Sequence, residues 1–251
     1  MRMLVAVPIF NEARHLDDVL PRILSYGHDV LAIDDGSTDA TPALLTKYPT
    51  LQVITHAENR GYGQSLIDAF KFARCQHYDW VLTMDCDQQH EPASIPRFFQ
   101  AACADDSDII SGSRYLPESS SPDQPPADRR SINLMITELL NSALDLGITD
   151  AFCGFKNHRV AALRKIHLDI PGYAFPMQFW VQAAYHKLRI SELPIKLIYN
   201  DPSRHFGGLL DDPSVRLGHY LEVIGRQLSQ VRLEAQKTVV KKECCSPCCC
   251  E

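Results

Sequence analysis

The sequence predicts an α/β fold: a Rossmann-like, mostly parallel sheet with helices on both faces, in a single domain. Two observations predict it. Strand-type and helix-type segments alternate from the first residues to about residue 113, the order that builds a parallel sheet covered on both sides. The chain has 251 residues and is 45% hydrophobic, which is enough for one sizeable core and ordinary for one α/β domain.

The elements follow in order. "MLVAVPIF" is a buried-strand pattern, and "NEARHLDDVLPRIL" has apolar residues at helical spacing (Leu16, Val19, Leu20, Ile23, Leu24). "DVLAIDD" is a second strand, and "STDATPALLTKY" opens with cap-type residues and continues as a helix. "LQVITH" is a third strand, followed by the helix "GYGQSLIDAFKFARC", whose Leu66, Ile67, Phe70 and Ala73 share a face. "YDWVLTMD" is a fourth strand, "PASIPRFFQAAC" a helix and "SDIISGS" a fifth strand. The Pro- and Ser-rich "LPESSSPDQPPADRR" lacks an apolar period and reads as a mobile loop over about residues 116–128, either a flap or a surface insertion. The helix "RRSINLMITELLNSALDLG", the strand-like "ISELPIKLIY" and an amphipathic helix near residues 213–235 complete a domain spanning 1–235.

Residues 236–251 form a Cys-rich tail, expected to be disordered, with metal binding and lipidation as the other readings. An odd count of nine cysteines without regular spacing argues against a disulfide framework and fits a reducing cytosol. A formal net charge of −6 argues against nucleic-acid binding over a broad surface, but is compatible with a phosphorylated ligand in a local basic pocket. The start reads as lacking a signal peptide, and no stretch approaches the roughly 20 apolar residues of a spanning helix. The expectation is a cytoplasmic protein, soluble or peripheral on the cytoplasmic face of a membrane.

The chemistry-bearing residues gather at predicted strand ends, where open α/β sheets bind ligands. Asn11 and Glu12 follow the first strand, Asp34 and Asp35 the second, and Asp85 and Asp87 the fourth. Acids one residue apart can converge on a hard cation, Mg²⁺ or Mn²⁺, which keeps open positions for phosphate oxygens. Gln89 and His90 could add to such a shell. The alternative is a turn of solvated acids. His15, His28, His56 and His77 lie in surface-type contexts and read as solvated. "GYGQSL" lacks the third glycine of a dinucleotide fingerprint and does not follow the first strand.

The segments "VPIFNE", "IDDGSTD", "NRGYGQS", "MDCDQQHEP", "GSRY" and "TDAFCGFKNHR" together resemble the family 2 glycosyltransferases of the GT-A fold, in the dolichol-phosphate mannosyltransferase-like branch that transfers sugars to polyprenol phosphates. The match covers about residues 3 to 160, with a fainter continuation through "GYAFPMQFWVQAA" and "ISELPIKLIY". The resemblance implies that Pro8, Phe10, Glu12, Ile33 and Asp35 hold the nucleoside of a GDP- or UDP-sugar. It implies that Asp85, Asp87 and Gln89 hold the metal and diphosphate, with Cys86 between the acids where relatives commonly have Ala. Arg114 matches a residue near the donor phosphates or sugar, and Arg204 a basic residue reaching the diphosphate. Gln178 stands where Glu is frequent, and the membrane-spanning helices of many relatives are missing.

The reaction so implied is a metal-dependent, inverting transfer to a polyprenyl phosphate, in which Arg204 assists the departing diphosphate. The alternatives are transfer to a hydroxyl of a saccharide or other acceptor, and a catalytically silent sugar-nucleotide-binding protein. A lipid monophosphate is largely dianionic at neutral pH and attacks unaided, whereas a hydroxyl needs a general base. Asp150 is the candidate base, with a turn cap as the alternative. Arg130, Asn133, Thr137 and Asn141 recur at helical spacing. With Arg129 they form a candidate acceptor-binding stripe, the alternative being a solvated helix face.

Overall fold

The computed structural model describes residues 1–119, 121, 123–199 and 206–244, with backbone alone for 238–244. Strands β1 (Met3–Ile9), β2 (Asp29–Asp34), β3 (Gln52–Thr55), β4 (Trp80–Thr83), β5 (Ile109–Ser113), β6 (Lys156–Arg159) and β7 (Ile190–Pro194) form one seven-stranded sheet in the order β3-β2-β1-β4-β6-β5-β7. Neighbouring strands are parallel except at β6, which runs antiparallel to both β4 and β5, setting Asn157 opposite Leu82 and Ile110. The expected α/β, mostly parallel sheet is therefore observed.

Side chains on successive strand residues point to opposite faces, and both faces here are apolar. Leu4, Ala6, Leu31 and Ile33 belong to one core, and Val5, Val7, Val30 and Ala32 to the other. Helices α1 (Ala13–Leu24), α2 (Thr41–Leu45) and α4 (Ile95–Cys103) cover the second core. Helices α3 (Tyr62–Cys75), α5 (Ala127–Leu144), α6 (Val160–Leu163), α7 (Phe175–Tyr185) and α8 (Pro213–Cys244) cover the first. In α1, Leu16, Val19, Leu20 and Ile23 are fully buried, so the predicted apolar spacing is the core-facing stripe. Truncating one of them to Ala removes packing worth about 2–5 kcal/mol.

Three elements differ from the sequence reading. Strand β6, "KNHR", is polar yet buried, and its side chains find partners inside the protein. Lys156 donates to the Cys153 carbonyl and Asn157 to the Phe98 carbonyl. Helix α7 is buried on most of its circumference, with Phe175, Met177, Phe179, Trp180, Val181 and Ala183 buried along with Gln178 and Gln182, so it shows no amphipathic period. Helix α8 runs to Cys244, past the 235 boundary read from sequence, and packs Tyr220, Val223, Ile224 and Val231 inward. The rest of the Cys-rich tail lies outside the described residues.

Candidate active site

The carboxyl ends of β1, β2, β4 and β5 open into a cleft of about 680 Å³. It is lined by the predicted donor-side residues Pro8, Phe10, Glu12, Asp35, Asp85, Cys86, Asp87, Gln89 and Arg114. Ile33 is instead fully buried in the core. From the predicted acceptor stripe, Arg129 and Asn133 line the cleft. Arg204 lies outside the described residues.

The first two strand ends are tied together. Asn11 sits at φ 55° and its Oδ1 accepts the N–H groups of Thr38 and Asp39 at 2.8 and 3.2 Å, while the Glu12 N–H donates to Thr41 Oγ1 at 3.1 Å. The next turn wraps Asp35. Its Oδ1 accepts the Arg60 N–H at 2.9 Å and its Oδ2 the Gly61 N–H at 2.8 Å. Gly61 has φ 98°, and a Cβ there would lie 2.5 Å from the Pro171 carbonyl oxygen, so the turn has room only for glycine. His56 Nδ1 reaches Asp35 Oδ1 at 2.6 Å and Nε2 reaches Asp68 Oδ2 at 3.2 Å. This corrects the sequence reading of His56 as solvated. It is 7% exposed and inserted between two carboxylates.

At the end of β4 the chain bends so that the Asp85 N–H donates to His90 Nδ1 at 2.9 Å and the Gln89 N–H to Asp87 Oδ1 at 2.9 Å. His90 is 4% exposed, and burial pulls it down to about 4, so the ring is neutral near pH 7. The expectation that His90 adds to a metal shell is corrected in part, because Nδ1 is occupied in shaping the loop. Tyr62 hydrogen-bonds Asp85, and burial followed by the Asp85 charge raises the phenol well above its ordinary range. Gly154 makes this pairing feasible: a Cβ there would stand 2.7 Å from Tyr62 Oη and 2.8 Å from Asp85 Oδ2. Among the described residues no group of three or more His, Cys, Asp or Glu converges for a metal. Asp85 and Asp87 offer oxygen donors only, the set a hard divalent ion takes when solvent and phosphate complete its shell.

Beyond β5, Arg114 and Asp150 form a buried bidentate pair, Nε to Oδ2 at 2.6 Å and Nη2 to Oδ1 at 2.9 Å. Asn133 Nδ2 adds a bond to Asp150 Oδ1 at 3.0 Å, Thr137 Oγ1 donates to Asn133 Oδ1 at 3.1 Å, and the Ala151 N–H donates to Thr137 Oγ1 at 3.2 Å. Burial alone would raise the Asp150 carboxyl. The Arg114 charge and the bonds from Arg114 and Asn133 outweigh it and hold the group well below the usual carboxylate range. Asp150 is 0% exposed, so the expectation of a base facing an acceptor is corrected: this carboxylate fixes Arg114. The polar stripe of α5 is also reassigned in part. Thr137 is spent within this chain of bonds, Asn141 clasps the Ile148 backbone, and Arg130 stacks 3.7 Å over the Tyr115 ring.

Other lining residues of the cleft are different in kind. Ile132, Phe152, Tyr173, Leu197, Tyr199 and Phe206 line it together with Arg129 and Arg216. Arg129 and Arg216 lie 4.9 and 4.5 Å over the Phe206 ring, and Arg216 also pairs with Asp128 at 2.7 Å. Two residues of the Pro- and Ser-rich segment are tied to this wall: Asp123 accepts the Tyr199 N–H at 2.9 Å, and Ser121 donates to the Leu197 carbonyl. Sequence reasoning missed Tyr62, Tyr173, Phe206 and Arg216. The one available signal was Arg216, a charge on the apolar stripe of α8, four residues before Tyr220. Gln178 holds a turn: its Oε1 accepts the Asp169 and Ile170 N–H groups at 2.9 and 3.0 Å.

The fold and this acidic strand-end cleft define a glycosyltransferase of the GT-A class. Residues 4–167 match the model of "Glycosyl transferase family 2", and the chain belongs to that family. Among curated proteins it is 28% identical over 228 residues to an undecaprenyl-phosphate mannosyltransferase of Micrococcus luteus, covering 86% of this chain and 93% of the relative. It is 29% identical over 208 residues to a polyprenol monophosphomannose synthase of Mycolicibacterium smegmatis, covering 77% and 76%. Among solved structures, glucosyl-3-phosphoglycerate synthase from Mycobacterium tuberculosis, crystallised with Mn²⁺, UDP and glucosyl-3-phosphoglycerate, superposes with a TM-score of 0.67 at 15% identity, covering 90% of this chain and 79% of that one. The expected family, fold and enzyme class are thus borne out. Among the described residues no helix is long and apolar enough to cross a membrane.

Proposed function

We propose that the enzyme moves a sugar from a nucleoside-diphosphate sugar to a polyprenyl phosphate, with inversion at the anomeric carbon. The observation that carries this reading is the mixed lining of the cleft. Asp35, Asp85 and Asp87 are suited to a nucleotide and its cation. Arg129, with Ile132, Tyr173, Tyr199 and Phe206, is suited to a phosphate carried on an isoprenoid. The names of the relatives, which describe undecaprenyl-phosphate and polyprenol substrates, support the same acceptor. Leu134, Met135 and Leu139 of α5, with Leu209 just before α8, are exposed apolar residues. They favour peripheral contact with the membrane that holds such a lipid.

Each residue then has a task. Asp35 hydrogen-bonds the nucleoside, and Pro8 and Phe10 form the wall beside it. Asp85, steadied by Tyr62, and Asp87 hold a divalent cation, Mg²⁺ or Mn²⁺, with Gln89 beside them. When bound, that ion supplies Lewis-acid stabilisation of the leaving diphosphate. Arg114, fixed by Asp150, adds a permanent positive charge where negative charge gathers. Arg129 orients the acceptor phosphate. An acceptor that arrives already ionised needs no general base, which agrees with the engagement of Asp150 by Arg114.

The test is a panel of GDP- and UDP-sugars with Mn²⁺, scored by nucleotide release with and without polyprenyl phosphate. Release that depends on the lipid phosphate supports the reading. Release with free saccharides and none with the lipid promotes the hydroxyl-acceptor alternative.

A further inference from the structure

The buried His56 is absent from the roles above, although it touches a residue assigned to the donor. It follows β3, its backbone N–H donates to the Asp34 carbonyl at 2.9 Å, and its side chain is 5% exposed. Its two ring nitrogens face two carboxylates, Asp35 at the end of β2 at 2.6 Å and Asp68 on α3 at 3.2 Å. A neutral imidazole has one N–H and one lone pair, so it can donate to only one of them. Donation to both requires the doubly protonated ring. The remaining charges around the cluster reach it through Asp68: Lys71 at 3.1 Å and Arg60 at 3.6 Å, both side chains half-exposed or more. Gln64 also donates to Asp68 at 2.8 Å.

The consequence concerns the geometry of Asp35. Its Oδ1 is shared between His56 and the Arg60 N–H, and its Oδ2 takes the Gly61 N–H while the residue lines the cleft. With those bonds in place the carboxylate has one rotamer and one remaining edge to offer. Without the ring, Asp35 loses the partner that ties its Oδ1 to Asp68 on α3.

We infer that His56 is a positioning residue, which clamps Asp35 for the nucleoside by bridging it to Asp68. The inference rests on the proposed donor role of Asp35. It concerns binding of the nucleotide, not the transfer step, so the donor KM moves while kcat stays close to its original value.

Calorimetry of GDP and UDP binding, each with Mn²⁺, tests this at one pH, with donor KM and kcat measured alongside. The wild type is compared with His56→Gln and Asp68→Asn. His56→Gln binds about tenfold to a hundredfold more weakly, the worth of a lost charge-assisted bond, and its donor KM rises while kcat stays close to wild type. Asp68→Asn keeps the His56–Asp35 bond but weakens the anchor on the far side of the ring, so its affinity falls in the same direction and by less. A purely structural His56 would lower stability and kcat with no selective rise in donor KM. Nucleotide affinity unchanged in His56→Gln, or a fall in kcat without a rise in donor KM, overturns the inference, and Asp68→Asn decides alone by the same readouts if His56→Gln does not fold. Wild type that binds neither nucleotide overturns the donor reading and this inference together, whereas wild-type binding with unchanged affinity in the variants overturns this inference only.

Discussion

Replacing Asp150 by Asn separates a buried structural carboxylate from a catalytic base. The side chain is fully buried, its partner Arg114 is 19% exposed, and it accepts from Arg114 Nε, Arg114 Nη2, Asn133 Nδ2 and the Phe152 N–H at 2.6, 2.9, 3.0 and 3.2 Å. Asn preserves the shape but removes the charge, and its amide nitrogen turns an N–H toward a donor that was formerly satisfied. Removing one partner of a buried ion pair costs about 3–5 kcal/mol, and that is the expected loss of unfolding free energy in urea. The pH dependence has a definite sign. The folded carboxyl titrates below its unfolded value of about 3.9, so its contribution is fully present above that value and declines as pH falls below it. The variant therefore lacks this part of the acid-side slope. Turnover with polyprenyl phosphate falls because Arg114 is less well held, and Arg114→Gln in the same background adds less than it does alone. Unchanged stability with a drop in turnover of about 10²–10⁴, the usual worth of a base, would refute this reasoning.

Three further outcomes are expected. Asp87→Ala loses Mn²⁺-dependent nucleotide binding in calorimetry while its melting profile stays near wild type; normal turnover in EDTA would count against the clamp. His90 has a folded value of about 4, below its unfolded value of about 6.5, so its contribution to stability is present above about pH 6.5 and declines toward about pH 4. His90→Gln removes that slope in pH-resolved melts, and a slope equal to wild type would show that the ring is not the group responsible. Gly154→Ala places a Cβ 2.8 Å from Asp85 Oδ2 and 2.7 Å from Tyr62 Oη, so the carboxylate must move. The expected result is Mn²⁺ affinity, read by paramagnetic resonance, weakened by about tenfold or more, as for loss of a charge-assisted contact; unaltered affinity would show that the close approach does not govern Asp85.

The parts legible in the sequence share a property: their cause is local. An apolar strand with a helix of matching period declares itself within a dozen residues, which is why "MLVAVPIF" through "SDIISGS" was readable as β1 to β5. The acids at strand ends were readable for the same reason. What escaped depends on partners distant in sequence. β6 reads as polar in sequence, and its burial becomes visible only when Lys156 donates to the Cys153 carbonyl and Asn157 to the Phe98 carbonyl. Asp150 reads as an available acid until Arg114, 36 residues away, is seen against it. His56 reads as a surface histidine until Asp35 and Asp68 close around it. Polarity in a sequence states that a group needs a partner, and whether that partner is water or protein is decided by tertiary contacts.

The same pairing that removes Asp150 from the role of base gives the cleft a cation that does not titrate away. Burial opposes the charge on Arg114, yet Asp150 outweighs that burial and holds the guanidinium above its ordinary range. On the proposed reading the leaving diphosphate gathers charge beside this group. A guanidinium already oriented by two hydrogen bonds needs no rearrangement at that moment, which is the advantage of preorganised electrostatics over solvent. Folding bears the desolvation of the pair, and Asn133, Thr137 and the Ala151 N–H extend the bracing from Asp150 into α5. Asn133 and Thr137, which look from sequence like acceptor ligands, therefore act one step removed: they hold the carboxylate that holds the arginine. Changes along this chain of bonds should register first in stability and only through it in turnover, whereas changes at Asp85 or Asp87 should do the reverse.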